Sequence, residues 1–182
     1  MTLDEFWDHI RATKRKDPDA HQERLVKRLA KLPAEEILDF GNWWWIVRCE
    51  AYNWNLWGAA YIINGGCSDD GFDYFRNWLV MKGRDAFQAA VTNPDTLADA
   101  VDPDEDFTEL EGEPATDAWF LATGRKPTDK NYELLRAAER ARHGAPRPLP
   151  DLGDGWDFDD EEEMKKRYPR LWALYNEDAD DE

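Results

Sequence analysis

Three consecutive tryptophans, Trp43-Trp44-Trp45, run directly into Ile46-Val47. A helix turns by about 100° per residue, so three adjacent indoles sweep most of its circumference and cannot share one buried face. A segment apolar on every side predicts a helix at the centre of a bundle, with at least one indole near the surface unless a neighbour covers it. The chain has the material for such a bundle. Its 182 residues are 42% hydrophobic and include 10 Trp, 8 Phe and 6 Tyr, enough for one domain of ordinary size or one domain with a tail.

Helical signals surround this segment. Thr2 and Glu5 have capping-box spacing, and Leu3, Phe6, Trp7 and Ile10 follow at i, i+3, i+4 and i+7. Asp17-Pro18 breaks that helix. Leu25, Leu29 and Leu32 stripe a second helix whose last turn is basic, as the negative end of a helix dipole favours. Pro33 opens a third helix, which runs into the tryptophans. Asn53 and Asn55 weaken the helix around Trp54, and an apolar segment from Leu56 to Ile63 ends at Asn64-Gly65-Gly66. Ser68 caps the next helix, with Phe72, Phe75, Trp78 and Leu79 on its buried face and Gly83 as its stop. A short helix over 85–91 ends at Asn93-Pro94, and two more cover 116–123 and 129–142. Residues 161–175 regain an apolar pattern through Met164, Tyr168, Leu171, Trp172 and Tyr175. Nothing alternates with period two over a useful length. The reading is all-α, a compact irregular helical bundle with an acidic loop at 102–114 and a C-terminal helical segment docking back on the body. Its organisation is a helical domain over 1–143, a Pro/Gly/acidic linker over 144–160, and a C-terminal helix with an acidic tail over 161–182.

Charge narrows the function classes. The net charge is −17, and the last 32 residues contribute −9 of it through 13 acids against 4 bases. Nucleic acid and anionic membrane surfaces call for clustered Lys and Arg, so neither is an expected partner. No run of about eighteen apolar residues spans a bilayer, and the charged N-terminus does not read as a secretory signal. Two cysteines, Cys49 and Cys67, build no disulfide framework, which points to a reducing cytoplasm.

The segment Trp57-Gly58-Ala59-Ala60-Tyr61-Ile62-Ile63-Asn64-Gly65-Gly66-Cys67-Ser68-Asp69-Asp70-Gly71-Phe72, continued by Tyr74-Phe75-Arg76 and Trp78-Leu79, resembles a bacterial family catalogued as domain of unknown function 4240. Phe6-Trp7, Pro33-Glu35-Glu36-Ile37 and Asn93-Pro94-Asp95 support the resemblance, which covers residues 1 to about 120. Tyr168-Pro169-Arg170-Leu171-Trp172 looks like the family's closing segment. The chain departs from the family at Trp43-Trp44-Trp45, where relatives are more polar, and over 129–142. The family brings no agreed activity, so the resemblance implies fold and boundaries but no mechanism.

Two constellations could carry function. The first is the turn Gly65-Gly66-Cys67-Ser68-Asp69-Asp70. A helix N-terminus lowers a thiol pKa, so Cys67, with Asp69 and Asp70, is the catalytic candidate. The structural alternative is simpler: a glycine turn, a Ser68 cap, two acids facing the dipole, and Cys67 packed as a small hydrophobe. Asp70 and Asp73 share a helix face, with Glu50 on the preceding helix, but His9, His21 and His143 are scattered and none has metal spacing. Neither a metal nor another cofactor is expected. Arg76 sits among aromatics and pairs with Asp73 or Glu50. The second constellation is the Trp cluster. Exposed indoles beside Tyr52 and Tyr61 would form a partner-binding patch or a pocket wall, whereas buried ones would form a core that the tail helps to cover through Trp156 and Trp172.

The binding candidates are Trp44, Trp54, Trp57, Tyr61, Asn64, Ser68, Asp73 and Arg76. No triad, phosphate loop, dinucleotide fingerprint or zinc spacing is present. The favoured expectation is therefore a non-enzymatic binding protein whose partner is a protein, in particular a basic one that it neutralises. The alternative is an enzyme or small-molecule binder with its pocket at the 65–70 turn.

Overall fold

The computed structural model describes residues 1–103 and 108–176, so the middle of the acidic loop and the last six residues lie outside the description. Among the described residues the chain is all-α. In order, the helices are α1 (Leu3–Thr13), α2 (Pro18–Leu29), α3 (Ala34–Glu50), α4 (Trp54–Ile63), α5 (Asp69–Lys82), α6 (Arg84–Thr92), α7 (Pro114–Thr123), α8 (Asp129–His143), α9 (Glu161–Arg167) and α10 (Pro169–Asn176). A 3₁₀ helix, Pro94–Asp99, lies between α6 and α7. The chain divides into two compact units, residues 1–49 with 111–148, and residues 50–110 with 149–182.

In the first unit the capping box closes as its spacing predicts. Glu5 N–H donates to Thr2 Oγ1 at 3.2 Å and Thr2 N–H donates to Glu5 Oε2 at 2.7 Å. Phe6, Trp7 and Ile10 are the buried face of α1. Asp17-Pro18 both breaks α1 and starts α2, because Asp17 Oδ1 accepts the Ala20 N–H and Pro18 sits in the first turn. α1 packs on α2, and α2 on α7. The tryptophan run divides as helix geometry requires. Trp44 is 2% exposed, with Phe40 behind it and Phe6 only 4.7 Å beyond Phe40. Trp43 and Trp45 are half-buried, and each indole N–H is satisfied by a carbonyl from a different segment, Met1 O at 3.0 Å and Arg147 O at 2.7 Å. Burying Phe6 and Phe40 alone contributes about 2–3 kcal/mol each.

Asp39 ties α3 to α8. It is buried, and its carboxylate accepts from Arg142 Nε and Nη2 at 2.6 and 2.9 Å and from the Met1 nitrogen at 2.9 Å. His143 Nε2 lies 3.1 Å from the same carboxylate. These contacts, led by Arg142, hold the Asp39 pKa well below the usual carboxylate range.

In the second unit α4 is apolar apart from Asn55, and its residues 56–60, 62 and 63 are buried. Asn53 does more than weaken a long helix: its Oδ1 accepts the Leu56 N–H at 2.9 Å and caps α4. α10 packs on α4 and on the 3₁₀ helix. Gly58 makes room for the C-terminal segment. A Cβ there would stand 2.5 Å from Tyr168 Oη and 2.6 Å from Trp156 Cζ2.

The stretch 161–175 is two helices rather than the single piece its apolar spacing suggests. Pro169 disfavours helical backbone at the preceding residue, and Tyr168 sits at φ −130°, ψ 57°. The restarted helix is capped from far away in sequence. Asp95 Oδ1 accepts the N–H groups of Arg170 and Leu171, both at 3.0 Å, and the Arg170 guanidinium pairs with Asp99. Met164, Tyr168 and Leu171 are buried.

Candidate functional site

The 65–76 segment lies wholly in the second unit. Asn64 ends α4, Gly65 takes φ +63°, and its N–H donates to Ile62 O while Gly66 N–H donates to Tyr61 O at 2.8 Å. That pairing is a Schellman turn, which needs a left-handed residue after the helix end. Gly66 follows at φ +129°, a value that disfavours any residue with a Cβ. Ser68 Oγ then accepts the Gly71 N–H at 3.1 Å, and α5 begins.

The space at the α5 N-terminus is already used. A Cβ on Gly71 would stand 2.7 Å from Glu109 Oε1, so the missing side chain is what lets this carboxylate approach the first turn. The segment carrying Glu109 is held by bonds that include Leu110 N–H to Tyr74 O at 3.2 Å, Asn77 Nδ2 to Leu110 O at 2.9 Å, and Thr108 Oγ1 to Asn64 Oδ1 at 2.9 Å. The chain thus supplies its own anion to the helix dipole. Burial first, and then the Glu109 charge, push the Cys67 thiol up to about 12, opposite to what nucleophilic chemistry needs. Asp69 and Asp70 are exposed. Sequence spacing did not single out Glu109; its only signal is a place within the acidic loop at 102–114, and its approach depends on tertiary structure.

Of the aromatic candidates, Trp54 and Trp57 form one stack with Phe72, whereas Trp44 packs on Phe40 in the first unit. Trp54, Trp57 and Phe72 lie in near-parallel succession, with centroids 5.3 and 4.7 Å apart. Trp57 Nε1 donates to Cys67 O at 3.0 Å, fastening the turn to α4. Arg76 is 1% exposed, lies 4.8 Å from the Tyr52 ring centroid, and pairs with Asp73. Asp73 is therefore engaged by its own helix, and Glu50 is exposed. His9, on α1, accepts from Arg28 Nε at 3.0 Å.

Residues 156–159 cover the outer side of the stack. Phe158 meets Trp54 and Tyr61 at 5.8 and 5.4 Å, Trp156 meets Tyr168, and Tyr61 Oη donates to Asp159 at 2.8 Å. That bond raises the Tyr61 pKa. Trp54, Tyr61, Trp156 and Phe158 remain half-buried, whereas Trp44 and Trp57 are core.

The first unit holds a cavity of about 400 Å³ that sequence reasoning did not locate. Its walls come from α3, α7 and α8, and include Trp44, Trp45, Glu113, Arg136, Glu139 and Arg140. Its residues are far apart in sequence and carry no motif, so only folding brings them together. Burial and the neighbouring Glu113 raise the Glu139 pKa. No three His, Cys, Asp or Glu side chains converge at metal distance among the described residues, and no described helix is long and apolar enough to cross a membrane.

Fold and site define an all-α protein with an aromatic stack and an internally occupied helix N-terminus. Residues 1–123 match the family described as protein of unknown function, DUF4240, and the chain belongs to that family. The match ends with α7, so α8 to α10 and the acidic stretch between them lie beyond it. No curated protein and no solved structure matches the chain.

Proposed function

We propose that this DUF4240 protein acts by binding a basic partner protein rather than by turning over a substrate. The observation that carries this reading is the presentation of residues 151–162. Asp151, Asp154, Asp157, Asp159, Asp160, Glu161 and Glu162 are exposed, with no base among them. Phe158 anchors the same segment to Trp54, Trp57 and Tyr61 of α4, and Trp156 packs on Phe158 and Tyr168. A charged strip held in place loses less entropy on binding than a loose tail, and its field accelerates encounter with a cationic surface. The protonated Cys67 thiol and the Glu109 carboxylate beside α5 support binding over chemistry at the 65–70 turn.

The test is capture on the immobilised chain, followed by a binding isotherm with the basic protein retained. Affinity should fall several-fold between about 0.05 and 0.3 M salt. It should fall similarly when Asp154→Asn, Glu161→Gln and Glu162→Gln are combined. Binding that neither salt nor the triple variant weakens would overturn the role of this strip, and no retained protein would overturn the partner itself.

A further inference from the structure

The geometry points to a second binding site, in the first unit: the α3/α7/α8 cavity takes a small, flat aromatic carboxylate. Its volume of about 400 Å³ lies at the lower end of the range for ligand pockets, about 300–1,000 Å³, and so suits a bicyclic rather than a long-chain ligand. Trp44, stacked on Phe40, and Trp45, with the Arg48 guanidinium over its ring, line it and make the wall one that an aromatic ring packs against. The Trp44 Nε1–H is buried without an acceptor among the described residues, in a wall where a ligand oxygen would be its first partner.

The charges select the ligand's sign. Glu113 is answered by Arg48 at 3.6 Å, and Asp39, on α3 but not in the lining, by Arg142. Arg136 and Arg140 line the cavity and make no ion pair among the described residues. The one further carboxyl on the wall, Glu139, stands between them in sequence and cannot balance both. In a chain of net charge −17, this rim is therefore a place where positive charge is left over. Guanidinium groups bind carboxylates through paired hydrogen bonds, whereas an uncharged amide of the same shape leaves them unanswered.

Isothermal calorimetry on the full chain with 1-naphthoate and with 1-naphthamide tests the inference. The carboxylate should bind saturably at one site, and the amide at least about five-fold more weakly. Arg136→Gln combined with Arg140→Gln should remove that preference. Both arginines are exposed, so the fold should survive, and circular dichroism checks it. Arg125→Gln, outside the lining of this cavity, should change nothing. Absence of naphthoate binding up to about 1 mM, equal binding of the amide, or an unaltered preference in the double variant each overturns the site.

Discussion

Gly66 holds φ at +129°, and nothing stands within 4 Å of where its Cβ would be. Any cost of a side chain there is therefore backbone strain and not a clash. Gly66→Val should lower stability by about 1–3 kcal/mol in urea titration. An unchanged midpoint would show that the turn relaxes without the glycine. Cys67, one residue on, gives a pH prediction. Burial and Glu109 raise its pKa, so the folded chain keeps the thiol protonated while the unfolded chain ionises near pH 8.5. The stability this group contributes is complete below that pH and is lost as pH rises toward about 12. Native Cys67 should accordingly react with a thiol reagent at pH 8 far more slowly than in urea. Rapid native labelling would restore the catalytic reading of the 65–70 turn.

Helices here depend on caps that lie both near and far in sequence. Thr2, Asp17, Asn53 and Ser68 cap from the adjacent residue, and their side-chain types announce the helix starts. α10 has no such neighbour and borrows Asp95 from the 3₁₀ helix. Asp95→Ala should cost about 1–2 kcal/mol and expose amides of 170–171 to hydrogen exchange, while those of α1 stay protected. Uniform loss of protection would mean that the cap is not local to α10. Asp39 joins α3 to α8 in the same long-range way. Its lowered pKa makes its contribution complete at neutral pH and progressively lost below about pH 4. Asp39→Asn should cost about 1–2 kcal/mol at pH 7, and its acid unfolding should begin with less loss between pH 4 and 2 than the parent shows. Parallel pH profiles would remove Asp39 from the acid response.

At the scale of the whole molecule, charge opposes compaction. Forty acids face 23 bases, and surface ion pairs such as Arg11–Asp8 or Lys27–Glu23 offset little of that repulsion. Raising ionic strength from about 0.02 to 0.5 M should therefore raise Tm in scanning calorimetry, because screening relieves the net repulsion. A falling Tm would mean that specific pairs outweigh it.

Local rules settled much of this protein before any folding. Helix class, most helix starts and the glycine turn all follow from side chains within about four residues of each other, the reach of helix periodicity and capping, whereas the choice of Asp73 over Glu50 for Arg76 came with the structure. The same reach explains what stayed hidden. The 3₁₀ helix at 94–99 and the break at Tyr168-Pro169 were locally encoded but masked by the surrounding apolar spacing. Three features join segments far apart in sequence: the Glu109 carboxylate at the start of α5, the Asp95 cap on α10, and the cavity between α3, α7 and α8. Which indoles of Trp43, Trp44, Trp45, Trp54 and Trp57 became core was also decided by what packed against them. A helix fixes only the direction of each side chain, and burial requires a second surface that tertiary structure alone supplies.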